Sequence, residues 1–220
     1  NIQDIIDIVE TMIDNELYYH PLKLSITRAN PLNFIKPAAG AYYEKNDLDN
    51  FQKVLNYGLK YYPEDFELLE WSGNRESIIY VAKKKLYKDK GNTGIINKIA
   101  SNFQSLEKYD SAAVYYEKYF QYGGLNNIHQ KAELAICYFY LKKYKKSIQY
   151  FKNNNLDNAS PNALGTTYRY LAQCYGSLDS WKKAEEYQIK YIDIWEINFP
   201  KDSLSLKYAY VNLAEFYKKL

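Results

Sequence analysis

Apolar side chains recur through most of this chain at i, i+3, i+4 and i+7, the spacing that gathers them on one face of an α-helix. Three stretches align on one another: IINKIASNFQSLEKYDSAAVYYEKYF (95–120), HQKAELAICYFYLKKYKKSIQYFKNN (129–154) and YRYLAQCYGSLDSWKKAEEYQIKYI (168–192). Each carries an apolar residue, then Ala, then an aromatic three places on: Ile99-Ala100-Phe103, Leu134-Ala135-Tyr138 and Leu171-Ala172-Tyr175. After a short polar turn comes an aromatic with a small residue three on: Tyr109-Ala112, Tyr144-Ser147 and Trp181-Ala184. A small residue at a recurring place lets two helices approach closely, where a larger side chain would hold them apart. A turn of roughly two to five residues makes the neighbours antiparallel. Each stretch therefore predicts a helical hairpin. One hairpin cannot bury its apolar face alone, and a stack of its copies can.

Two further copies flank these. Upstream lie Ala38-Ala39-Tyr42, then Leu48, Phe51 and Leu55, with Pro63 behind them. Downstream, Tyr210-Leu213-Ala214-Tyr217 begins a copy that has one helix before Leu220. As a set, these residues resemble the tetratricopeptide repeat (TPR) family, whose unit is about 34 residues; Pro63 stands where that family often ends its second helix. The resemblance implies an all-α fold, a right-handed α-solenoid of stacked antiparallel hairpins. From Ala100 to Ala135 is 35 residues, from Ala135 to Ala172 is 37, and from Ala172 to Ala214 is 42. The last interval, with the linker NFPKDSLS (198–205), is similar to the longer repeat of kinesin light chains.

Ala39 to Ala100 is 61 residues, too long for one repeat and short of two. Residues 66–92 are expected to hold a degenerate short hairpin, with FELLEWSG and RESIIYVAKKKLYKDK as its helical pieces and Gly73 at the small-residue place. The expected organisation is an N-terminal helical segment (1–31), a TPR-like hairpin (32–65), the short hairpin (66–92), and an array of three hairpins plus a final helix (93–220). In the first segment, Ile5, Ile6, Val9, Met12, Ile13 and Leu17 oppose Asp4, Asp7 and Asp14 on an amphipathic helix over 1–17, while LKLSITRAN between Pro21 and Pro31 has no assignment. Proline is tolerated in a first helical turn, so Pro37 predicts a helix starting near Ile35. NNNLDNASP predicts an early end to the second helix of the 128–161 copy. The last helix is expected to turn Ala209, Phe216 and Leu220 outward, a face for a further segment or for self-association.

Composition narrows the function. The 220 residues are 47% hydrophobic and 25% charged, a globular balance that excludes disorder. No apolar run reaches the ~18 residues of a membrane span, and 9 Gly and 6 Pro are too few for an all-β chain rich in tight turns. The chain opens on Asn1 without a signal or transit peptide, which suggests a piece of something longer or a processed end and leaves the compartment unread. The net charge is +3 and Arg occurs three times, whereas phosphate and base recognition favours Arg. The basic runs Lys83–Lys85 with Lys88 and Lys90, and Lys142, Lys143, Lys145 and Lys146, are expected to be solvated faces; no nucleic-acid partner is expected.

Catalytic and metal chemistry find little purchase. His20 and His129 belong to no zinc motif, and GNTG (91–94) and GGLNN (123–127) lack the Lys-Ser/Thr of a P-loop. Both glycine stretches follow a predicted helix and read as left-handed caps. No G-x-S-x-G elbow is present. Asp4, Asp7, Glu10 and Asp14 read as the wet side of the first helix. Cys137 and Cys174 occupy equivalent places in adjacent repeats, about 8–10 Å apart between helix axes and beyond disulfide reach, and read as small buried side chains. The expectation is a chain without catalytic set, metal or cofactor. Its 26 Tyr are expected to serve mostly in packing, with a minority left for recognition.

The resemblance implies where a ligand would sit. TPR proteins usually hold an extended peptide or partner helix in a concave groove lined by the first helix of each hairpin. The matching positions here are Asn97, Ser101 and Gln104; His129, Ile136, Phe139 and Tyr140; Arg169 and Gln173 (with Ser177); and Tyr208 and Glu215 (with Val211). Arg169 suits a carboxylate or phosphate contact through its planar fork, or an ion pair within the array. Asn97 and Ser101 stand at carboxylate-clamp places without the clamp's Lys, so chaperone tails are not expected to bind. The implied function is a non-catalytic scaffold for a protein or peptide partner; the alternative is a regulatory TPR module of a larger signalling or transcriptional protein.

Overall fold

A computed structural model describes residues 32–125, 128–154, 156–157, 159–201 and 203–220. The expectations for residues 1–31 lie outside the described residues. Among these, the chain forms eleven α-helices and no strand: α1 Leu32–Glu44, α2 Leu48–Tyr61, α3 Phe66–Ser72, α4 Arg75–Lys88, α5 Thr93–Ser105, α6 Tyr109–Gln121, α7 Ile128–Tyr140, α8 Tyr144–Lys152, α9 Pro161–Gly176, α10 Trp181–Asn198 and α11 Ser203–Tyr217. The described residues fall into two compact units, one ending at Val81 and the other running from Ala82 to Leu220, with the division inside α4.

In the first unit α1 and α2 pack around Ile35, Ala38, Ala39, Phe51, Val54, Leu55 and Leu68. Gly58 of α2 sits where a Cβ would come within 2.9 Å of both Ile35 and Leu68, so only a hydrogen fits. Asp47 caps α2 and Asp65 caps α3 by accepting main-chain N–H bonds, and Lys36 Nζ lies 2.9 Å from both Asp65 and Glu67. Two expectations need correction. α1 begins at Leu32 and keeps Pro37 inside it. Pro37 is exposed, while Ile35, Ala38 and Ala39 on the other face are buried; their packing offsets the roughly 3 kcal/mol that an interior proline costs. Gly73 is no packing position: with φ of 69° it is the left-handed end of α3.

The second unit repeats one device. Helices α5/α6, α7/α8 and α9/α10 pair as hairpins, and α11 packs on α10. Ala100, Ala112, Ala135, Ala172, Ala184 and Ser147 are each 0% exposed. Ser147 Oγ donates to the Ala135 carbonyl at 2.8 Å, so the two backbones are close enough for a hydroxymethyl group to bridge them. Each turn carries one non-glycine residue in the left-handed region: Glu107, Lys142 and Asp179, matching Asn46 between α1 and α2. The residue after each donates its N–H back to the aromatic that follows the small Ala, as from Lys108 to Phe103, Lys143 to Tyr138, and Ser180 to Tyr175. This is a Schellman closure.

Helix length accounts for the uneven intervals. α8 has nine residues and stops before NNNLDNASP, whereas α9 and α10 have 16 and 18. Of the two glycine stretches, Gly123 takes φ of 78° behind α6, but GNTG works through Asn92, which caps α5 by accepting from the Ile95 N–H. The last helix also differs from expectation. Ala209 is buried against Tyr191 and Ile192, and Phe216 packs on Trp181; only Leu220 of the three is exposed. The outward residues are instead Leu204, Tyr208 and Val211, because α10 takes the Ala209–Phe216 side.

The abundance of Tyr has a repeated cause. Phe103 and Tyr115, Tyr138 and Tyr150, and Tyr175 and Tyr187 pair across the three hairpins with ring centroids 5.6–5.7 Å apart. A lysine ammonium lies over the first ring of each pair: Lys83 at 4.9 Å, Lys146 at 5.0 Å and Lys183 at 5.3 Å.

Ala214, expected at the small-residue place of the last copy, is exposed, so the repeat-position alanines should be intolerant of size where a second helix covers them and indifferent where none does. Ala172→Leu is expected to lower stability by about 1–3 kcal/mol in urea unfolding. Ala214→Leu, at the equivalent place on exposed α11 surface, should change it by less than about 0.5 kcal/mol. Equal effects would contradict the packing role.

Candidate functional site

In the second unit, an open concavity of about 540 Å³ is lined by four helices. α5 contributes Asn97, Ser101, Gln104 and Ser105; α6 contributes Tyr109 and Tyr116; α7 contributes His129, Gln130, Glu133, Ile136 and Tyr140; α9 contributes Tyr170. The 3.6-residue period puts Asn97, Ser101 and Gln104 on one stripe of α5, and Gln130, Glu133 and Ile136 on the facing stripe of α7.

A relay of hydrogen bonds crosses the floor. Tyr116 Oη donates to Gln104 Oε1 at 2.8 Å, and Gln104 Nε2 donates to Glu133 Oε2 at 2.5 Å. The amide is thereby fixed in one orientation, with its donor end on the carboxylate. Burial, with the Glu133 charge behind it, pushes the Tyr116 phenol well above its ordinary value. One wall is aromatic. Tyr109 stacks on Tyr140 with centroids 4.3 Å apart and planes at 10°, and the Tyr140 and Tyr170 hydroxyls meet at 3.5 Å. Tyr170 is held in turn by Phe151, stacked at 5.8 Å, and by Phe139, edge-on at 5.1 Å. The Arg169 guanidinium lies 5.0 Å from the Tyr170 ring centroid. Burial raises the Tyr170 phenol, with the Tyr140 hydrogen bond adding to it and Arg169 opposing it.

Six of the expected groove residues meet at this concavity: Asn97, Ser101, Gln104, His129, Ile136 and Tyr140. Phe139 does not line it; it is half-buried in the cluster around Phe151 and Tyr170. Arg169 is exposed and stacks on Tyr170, and Gln173 is half-buried further along α9. Tyr208 and Glu215 are exposed on α11 and away from the concavity. Sequence reasoning missed Glu133 and Tyr170, both two places before the small Ala, and Tyr109 and Tyr116 of the second helix. A reading confined to first helices passes over Tyr109 and Tyr116, whose long side chains reach the concavity from a second helix.

Cys137 and Cys174 are free and buried. Cys174 Sγ lies 3.4 Å from Ser147 Oγ, in the contact between α8 and α9 of successive hairpins. Burial pushes the Cys137 thiol up to about 12 and the Cys174 thiol up to about 11, so neither is a poised nucleophile. No helix among the described residues is long and apolar enough to cross a membrane.

No protein-family model matches the chain, and no curated protein matches it. Solved structures do resemble it. The C-terminal part of a TPR repeat-containing protein from Cytophaga hutchinsonii has a TM-score of 0.54 and 18% identity over 98% of this chain and 95% of its own. The MamA RS-1 ArsTM double mutant has a TM-score of 0.53 and 15% identity over 69% of this chain and 90% of its own. BtubC (BKLC) from P. vanneervenii has a TM-score of 0.51 and 18% identity over 99% and 82%. Likeness at such identity is a likeness of fold: the chain has the all-α helical-repeat architecture of TPR proteins.

The buried phenols and thiols make alkaline stability a check on this geometry. Tyr116, Tyr138 and Tyr170 are all raised, burial being the largest cause in each. A group whose native pKa is raised holds its proton more tightly folded than unfolded, so its contribution is complete below the unfolded value and is lost as pH rises through the folded one. The urea midpoint is therefore expected to fall steadily from about pH 9 upward. Part of the phenolate absorbance should appear only in step with the loss of helical circular dichroism.

Proposed function

We propose that this TPR-fold chain is a non-catalytic scaffold that holds an extended peptide segment of a partner protein in the concavity between α5, α6, α7 and α9. The observation that carries the reading is the convergence of side chains from three successive hairpins on one open hollow of about 540 Å³. That volume suits the side chains of a short peptide. Amide and hydroxyl groups on α5 and α7 supply donors and acceptors for a peptide backbone, and rigid tyrosine rings supply contact area at low entropic cost. TPR-fold proteins are in general protein-interaction scaffolds, which supports the same class of partner. Arg169, Gln173, Tyr208 and Glu215 would meet flanking parts of a longer partner segment.

Peptides selected on the chain from a random display library should bind in the micromolar range or tighter. Ser101→Arg fills the hollow from a half-buried surface position and should weaken them at least about tenfold. Val114→Arg, at an exposed position of α6 outside the lining, should leave them unchanged. Equal binding by the wild type and Ser101→Arg would refute the reading.

A further inference from the structure

The lining of the concavity is unbalanced in charge. Glu133 is its one carboxylate, and neither Lys nor Arg is on it. The carboxylate is also held in place: Gln104 donates to Glu133 Oε2, and Tyr116 fixes Gln104 from behind. Tyr109, Tyr140 and Tyr170 stand on the same lining. Rings of this type attract a cation through the negative potential of their faces, and a carboxylate at the same site adds a charge-assisted hydrogen bond. Tyr170 is itself already engaged, with Arg169 over its ring and Phe151 stacked on it, and it supports the wall through its hydroxyl contact with Tyr140.

We propose that the concavity selects a cationic side chain, arginine foremost, and seats it on the Glu133 carboxylate beside the stacked rings of Tyr109 and Tyr140. The proposal rests on the peptide-groove reading and gives it a residue preference. Arginine is favoured over lysine because its planar fork can hydrogen-bond the carboxylate while a flat face meets an aromatic ring; a lysine ammonium is a compact, more strongly hydrated charge. An acidic segment is disfavoured, since it would place a second negative charge beside Glu133 with no cation on the lining to separate them.

The experiment titrates N-acetyl-arginine amide into the full chain and follows backbone and tyrosine ring signals by NMR, with N-acetyl-citrulline amide as the neutral isostere. The arginine probe should shift Glu133, Tyr109 and Tyr140, and the citrulline probe should bind at least about tenfold more weakly. Glu133→Gln keeps the shape of the side chain and should remove the difference between the two probes. Should that variant fail to fold, Tyr140→Leu, at a 47% exposed position, should weaken the arginine probe severalfold. Equal binding of both probes, shifts confined to other surfaces, or indifference to both substitutions would overturn the proposal. The two readings also fail separately. Displayed peptides that depend on Ser101 but not on Glu133 would remove the cation preference and keep the groove. An arginine probe seated at Glu133, with no displayed peptide held, would do the reverse.

Discussion

Everything in the array depends on how near the two helices of a hairpin can come. Where Ala100, Ala112, Ala135, Ala172 and Ala184 meet a neighbour, no side-chain atom beyond Cβ intervenes. The hydrogen bond from Ser147 to the Ala135 carbonyl reports the same closeness in a different chemistry. That proximity brings flanking aromatics of the paired helices together, as Tyr138 with Tyr150 and Tyr175 with Tyr187. Left-handed Glu107, Lys142 and Asp179 then close each turn in the same way, at a strain of roughly 1 kcal/mol for a non-glycine residue. The array accepts that strain three times because the packing around each turn determines the conformation.

The aromatic economy follows from this geometry. Small residues in the seam leave space at its margins, and large flat rings fill it. One set of rings pairs within the hairpins under lysine ammonium groups, as Tyr138 does with Tyr150 and Lys146. A second set, Tyr109, Tyr116, Tyr140 and Tyr170, faces the concavity. The Tyr116 hydroxyl finds a partner on Gln104, those of Tyr140 and Tyr170 find each other, and Tyr109 is held by stacking on Tyr140, which makes the wall rigid. Rigidity of this kind lowers the entropic cost of binding.

Expectation and structure disagree at a few points; packing prevails at Pro37 and Phe139, and local backbone conformation at Gly73. Pro37 marks a helix start by local sterics, yet α1 runs through it because the opposite face is buried. Gly73 has the size of a packing residue but the backbone of a cap. Gly58, which the repeat pattern passes over, is the close-contact glycine of the first unit. Phe139 fits the groove register by periodicity, but the apolar cluster around Phe151 and Tyr170 is the better solvent for its ring.

The sequence by itself determined the all-α hairpin architecture, a property of short-range periodicity that 3.6-residue spacing states directly. Its resemblance to TPR proteins, rather than periodicity, implied the stripe of Asn97, Ser101 and Gln104 that lines the hollow. The sequence also placed Ala100, Ala135 and Ala172 in the interior, since small residues recurring among large ones have a packing cause, whereas Ala214, read as their equivalent, is exposed and Ala209 is the buried alanine of α11. Only the tertiary structure decided that Glu133, Gln104 and Tyr116 form one relay, and that Tyr109 of one hairpin stacks on Tyr140 of the next. It also decided that α11 spends Ala209 and Phe216 on α10 and presents Leu204 and Tyr208 outward. Such contacts join residues from different helices, and their identity depends on how far each hairpin turns relative to the one before it, a quantity that no single helix encodes.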